Sequence, residues 1–116
     1  MDNKSIVILK KMLQHIDSVQ EYCKDCGSRE AFESNRMRVE ATVFNLMQIG
    51  ELAKVSLGEE TKAEIKTIPW KEIYGLRNRI VHGYSGVNMQ IVWDTVKDDL
   101  PLLRSEIAAY LERVKR

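Results

Sequence analysis

The run KSIVILKKMLQHIDSVQEYCK, residues 4–24, decides the fold class. Ile6, Leu9, Leu13, Ile16 and Val19 recur in steps of three and four, so they share one stripe of a 3.6-residue helix. Lys10, Lys11, Gln14, Asp17 and Glu21 fall mostly off that stripe. Gly27 closes the segment, and Ser28 can cap the next. The same period continues along the chain. A second helix is predicted over 29–57, with its stripe on Phe32, Val39, Val43, Leu46, Gly50, Ala53 and Leu57 and a stop at Gly58. The polar stretch 59–66 has length for one or two turns. Pro69 suits the first position of a further helix, where its missing N–H has no intrahelical partner. Trp70, Ile73, Leu76 and Ile80 supply the apolar contacts of that helix, and Gly83 can end it just after His82. Asn88 is a good N-cap for a last helix over 89–114, carrying Val92, Val96, Leu100, Leu103, Ile107, Tyr110 and Val114. Pro101 lies inside it and is expected to kink or restart it.

Four substantial helices, short connections and no convincing strand predict an all-α, antiparallel up-down bundle forming one domain over 1–116. Two of the helices are long for a chain of this size, so some of their apolar surface is expected to face a partner. The composition agrees. Hydrophobic residues make up 44% and charged residues 30%, and 2 Pro and 6 Gly favour helices over strands and turns. The formal net charge of +1 creates no global field for nucleic acid, so RNA contact would need a local patch. Residues 62–82 offer one, with Lys62, Lys66, Lys71, Arg77 and Arg79 against Glu64 and Glu72. Charges at Asp2, Lys4, Lys10 and Lys11 interrupt any signal-peptide run, and no stretch approaches the ~20 apolar residues of a membrane span. A cytoplasmic protein is expected. Cys23 and Cys26 form a lone C-x-x-C without the further ligands of a zinc site or the βαβ context of a redox motif, so they read as structural or incidental.

The chemistry concentrates in Arg77-Asn78-Arg79-Ile80-Val81-His82-Gly83-Tyr84. Arginine is a permanent phosphate ligand and histidine a proton carrier near neutral pH. RNA brings its own nucleophile, the 2′-hydroxyl beside the scissile phosphate. A base must take that proton and an acid must protonate the leaving 5′-oxygen. His82 can do either, and Arg77 can brace the non-bridging oxygens where charge builds. Neither role requires a metal, no cofactor is implied, and no obvious carboxylate cluster is present to bind an ion. Positions 77 and 82 lie roughly 140° apart on an ideal helix, so either the helix ends near His82 or two chains contribute to one site.

Arg77-Asn78 with His82 and Tyr84 resembles the signature of HepT-type toxins, members of the HEPN superfamily of small helical ribonucleases. The likeness extends to Ile49-Gly50-Glu51-Leu52-Ala53-Lys54, Ile68-Pro69-Trp70-Lys71-Glu72-Ile73, Ile91-Val92-Trp93 and Asp99-Leu100-Pro101. It implies a dimeric endoribonuclease of a type VII-like toxin–antitoxin pair, with Arg77 and His82 of both copies facing one cleft. It also implies a cognate MntA-like nucleotidyltransferase antitoxin that adenylylates Tyr84. Asn78, Arg79 and Glu51 are expected to support the site, Glu51 by pairing with Arg77 or Arg79.

Plainer readings stand beside these. Arg77 could be a surface salt-bridge residue, His82 a helix C-cap and Tyr84 a packing residue. The whole chain could be a non-catalytic nucleotide- or partner-binding subunit of a nucleotidyltransferase complex. His15 reads as a satisfied structural histidine, Trp70 and Trp93 as core or interface anchors, and Met12, Met37, Met47 and Met89 as packing filler.

Overall fold

The computed structural model describes residues 3–81 and 88–115, leaving aside the side chains of Arg77 and Val81. Every regular element among them is helical: α1 (Asn3–Cys23), α2 (Arg29–Glu33), α3 (Arg36–Glu51), α4 (Glu59–Glu64), α5 (Trp70–Val81), α6 (Met89–Asp94) and α7 (Leu100–Lys115). Two π-turns complete the set. One, Leu52–Ser56, extends α3, and the other, Thr95–Asp99, joins α6 to α7. α1 packs against α3 and α7, and α3 packs against α5. No helix of the described residues is long and apolar enough to cross a membrane.

The buried face of α1 is Ile8, Leu9, Met12, Ile16, Val19 and Cys23, rotated slightly from the predicted stripe; Ile6 and Leu13 sit at its edge. Ser28 and Asn88 cap as expected: Ser28 Oγ accepts from Ala31 N–H at 3.1 Å, and Asn88 Oδ1 from Gln90 and Ile91 N–H at 3.1 and 3.2 Å. The predicted single helix over 29–57 is broken at Ser34-Asn35. Ser34 Oγ turns back on the Ala31 carbonyl at 2.6 Å, closing α2, while Asn35 is extended and its side chain accepts from Arg38 N–H at 3.1 Å, opening α3. Two adjacent residues with short polar side chains each offer the backbone a local bond that competes with the helix. Pro69 stands one position earlier than expected. Its carbonyl accepts from Glu72 and Ile73 N–H at 3.0 and 3.2 Å, as the residue just before the helix does.

Pro101 lies in the first turn of α7, so the expected restart of the last helix is what the structure shows, reached through a widened turn. An α-helical proline clashes with the carbonyl four residues before it and gives that carbonyl no N–H. Here the turn ahead of it is widened, with Leu100 N–H bonded five residues back to Thr95 O. Thr95 is buried, and its hydroxyl bonds back to Ile91 O at 2.7 Å. The buried stripe continues across the widened turn through Val92, Val96, Leu100, Leu103, Ile107 and Tyr110. Trp93 packs on Phe32 of α2, ring centroids 5.6 Å apart, which makes it a core anchor. Met37, at 81% exposure, is not packing filler.

Candidate functional site

α5 carries motif residues 77–81, and three sets of contacts fix its position. Leu76 and Ile80 bury its inner face. At its start, Trp70 Nε1–H reaches back to the carbonyls of Lys62 and Ile65 at 3.0 and 3.2 Å. Midway, the Lys62 ammonium lies over the Tyr74 ring, 4.8 Å from its centroid.

Lys62 is the residue that pattern reading misplaced. It was expected in a basic, RNA-facing patch, but it is only 5% exposed. Its Nζ donates to Ala53 O at 3.0 Å and pairs with Glu59 at 3.1 Å. Ala53 lies in the π-turn that ends the α3 rod, where helix carbonyls run out of backbone donors. Burial alone would lower the ammonium's pKa, but the bonds to Tyr74 and Glu59 outweigh that and hold it above the ordinary lysine value. Lys62 therefore stays charged and ties α4, the π-turn and α5 together. Its flanking Thr61 and Ile65 are buried, a weak helical-period signal in a short segment that otherwise reads as polar.

Arg77 lies within α5 and its side chain is outside the described set; His82 and Tyr84 lie outside the described residues altogether. α5 is described up to Val81, directly before His82. Asn78 and Arg79 are exposed, and Arg79 Nη2 donates to Glu72 O at 3.4 Å. Glu51 closes α3 and is exposed, on a helix that packs against α5.

Beyond Arg79, between α5 and α7, lies a cavity of about 230 Å³. Ile68, Ile73, Leu76, Leu100 and Leu103 are among its walls, and Glu72, Arg79, Asp99 and Glu106 also line it. Glu106 accepts from Thr67 Oγ1 at 2.5 Å. Asp99 belongs to the second π-turn, and its carboxyl is held above the ordinary value by partial burial and then by Asp98, Glu72 and Asp94, with Arg79 opposing. The native form thus binds that proton more tightly than the unfolded chain, so stability falls as pH rises from the ordinary Asp value through the raised one. Asp99→Asn is expected to raise the folding stability slightly at pH 7, by no more than about 0.5 kcal/mol for so exposed a group, and to leave it unchanged at pH 3. Thermal unfolding at the two pH values checks this.

His15 is satisfied as expected: its Nδ1 donates to Asn45 Oδ1 at 2.7 Å, and Asn45 Nδ2 donates to Ala41 O at 2.8 Å. Cys23 and Cys26 are free thiols. Cys23 is buried, 3.7 Å from the Thr42 hydroxyl, and burial raises its pKa, which keeps it protonated and unreactive near neutrality.

The chain matches the family described as Ribonuclease HepT-like over residues 12–110. It is 34% identical over 107 residues to a candidate RNase of Caldanaerobacter subterraneus subsp. tengcongensis, covering 92% of this chain and 94% of that one. A candidate RNase of Methanocaldococcus jannaschii is 32% identical over 99 residues, 85% of this chain and 89% of its own. A candidate ribonuclease HepT of Thermococcus cleftensis is 29% identical over 98 residues, 84% of this chain and 87% of its own. No solved structure matches the chain.

Proposed function

This chain belongs to the HepT-like ribonuclease family, and from that premise we propose that it is a metal-independent endoribonuclease toxin acting as a homodimer. The observation that carries the reading is the family match across 12–110, which includes Arg77, His82 and Tyr84 in the spacing of the motif. One domain over 1–116, built as an up-down bundle of four main helical rods, presents the motif helix to a second copy in the cytoplasm. Exposed Met37 and Phe44, seven residues apart on one face of α3, support pairing as large apolar side chains open to a partner.

In the proposed reaction one His82 removes the 2′-hydroxyl proton of bound RNA. The 2′-oxygen then forms a bond to phosphorus as the bond to the 5′-oxygen breaks. The partner copy's protonated histidine gives its proton to that leaving oxygen. Arg77 braces the non-bridging oxygens, with Asn78, Arg79 and Glu51 supporting the site. The products are a 2′,3′-cyclic phosphate and a 5′-hydroxyl. The family resemblance, rather than the helical angle between positions 77 and 82, is what favours a site assembled from two copies. Tyr84 is the residue adenylylated by an MntA-like nucleotidyltransferase. The added phosphate and nucleoside would repel and block an RNA strand.

The test is cleavage of a defined RNA by the purified chain in excess EDTA, with the fragment ends determined by mass spectrometry. Cyclic-phosphate ends are expected; 3′-hydroxyl ends, or dependence on added metal, would refute the mechanism. Co-production with the nucleotidyltransferase is expected to add adenylyl mass to the peptide containing Tyr84 and to abolish cleavage. An unmodified Tyr84 beside active transferase and ATP removes the antitoxin part of the reading. A chain that binds the transferase but never cleaves RNA is the non-catalytic subunit instead.

A further inference from the structure

We propose that the acid-rimmed cavity between α5 and α7 is a docking site for a protein segment that presents an apolar side chain beside a lysine or arginine. The cavity's walls are apolar and its edge is charged. Ile73, Leu76 and Leu103 line it, and Leu102 extends its apolar surface outward at 68% exposure. Among the described residues, three carboxylates, Glu72, Asp99 and Glu106, line it against one guanidinium, that of Arg79. The described lining thus carries a formal −2 (three negative, one positive) in a chain whose total is +1. Partial burial, and then Asp98, Glu72 and Asp94, push the Asp99 carboxyl upward, with Arg79 opposing but not cancelling them. An arriving cation would relieve this repulsion, and an apolar group beside it would fill the cavity.

Size narrows the occupant. Ligand pockets usually hold about 300–1,000 Å³, and this cavity holds about 230 Å³. One inserted side chain fits better than a whole cofactor. Charge narrows it further. An RNA strand would set its phosphates against an excess of carboxylates. A twofold contact centred on the cavity would oppose each acidic rim to its own copy. The cavity borders the motif face of α5: Ile73, one of its walls, stands about 40° from position 77 around the helix, while Glu72 and Arg79, seven residues apart, share the farther side. The inference rests on the cavity's shape and charge.

The experiment titrates the full-length, ¹⁵N-labelled chain with a short amidated peptide of alternating leucine and lysine, and with the same peptide carrying glutamate for lysine. The lysine peptide is expected to shift the amide signals of Ile73, Leu76 and Leu103 with a dissociation constant below about 1 mM, and the glutamate peptide to leave them in place. Glu72→Gln with Asp99→Asn, and separately Leu102→Ser, are each expected to weaken binding about tenfold while the spectrum stays that of a folded protein. The proposal is overturned if the lysine peptide binds the double variant as tightly, or if its shifts map elsewhere. It is also overturned if a short single-stranded RNA displaces the peptide from these residues, or if their signals change with protein concentration alone, which would assign the surface to a second copy.

Discussion

His82→Ala is expected to lower RNA cleavage by about 10²–10⁴-fold, the usual contribution of a positioned proton carrier. The magnitude follows from two coupled needs. The 2′-hydroxyl is a poor nucleophile until its proton leaves, and the 5′-oxygen is a poor leaving group until one arrives. If the paired copies supply a base and an acid, alanine removes both at once. The pH–rate profile of the wild type should then be bell-shaped, with both limbs lost in the variant. Thermal unfolding measured beside the assay separates lost chemistry from lost folding. Equal cleavage by the folded variant and the wild type would remove the nuclease mechanism. Arg77→Ala should lower cleavage by about 10²–10³-fold through lost bracing of the transition state, with less effect on the pH profile.

Lys62→Ala is expected to destabilise the fold by about 2–4 kcal/mol, lowering the midpoint by roughly 10–20 °C. The ammonium is nearly fully buried and holds the Ala53 carbonyl at 3.0 Å, so its removal strands a buried acceptor and opens a void. Lys62→Met, which restores most of the volume, should recover only part of the loss. Glu59→Gln should change little, because Glu59 is 89% exposed and surface pairs contribute about 0–1 kcal/mol. The pH dependence is distinctive. The folded ammonium titrates above its ordinary value, so its contribution is complete below the unfolded lysine value and disappears as pH rises through the folded one. Unfolding by urea at neutral and strongly alkaline pH checks both points. A loss below about 1 kcal/mol for Lys62→Ala would show that the ammonium does not carry this load.

The helical class was legible because apolar period survives local detail. Leu9, Ile16 and Val19 were placed correctly, and the last helix kept its stripe through Val92, Leu100, Ile107 and Tyr110. The finer phase was less legible. Ile6 and Leu13 share a period with Ile8 and Met12, and only packing against α3 and α7 chooses between the two rows. The break at Ser34-Asn35 depends on two side chains competing with the backbone for bonds, which a hydrophobic pattern does not register. Lys62 was read by its charge, yet a long aliphatic stem can be buried when its ammonium finds acceptors. The motif was visible as residue types at a spacing. The cavity beside it was not, because Glu72, Asp99 and Glu106 come from distant parts of the chain and meet only when α7 lies beside α5.

The widened turn at Thr95–Asp99 makes the last rod sensitive to chain length rather than to residue type. The extra residue is absorbed by underwinding: Val92 and Leu100 are both buried, although eight residues would set them about 80° apart on an ordinary α-helix. Deleting one residue there would let the backbone tighten to an ordinary ladder with Leu103, Ile107 and Tyr110 still facing the core, at the cost of setting Pro101 against a carbonyl that the present spacing keeps away. Single substitutions across those five positions leave that phase intact, whereas one added codon would swing the whole C-terminal segment by about 100° into the wrong rotational frame.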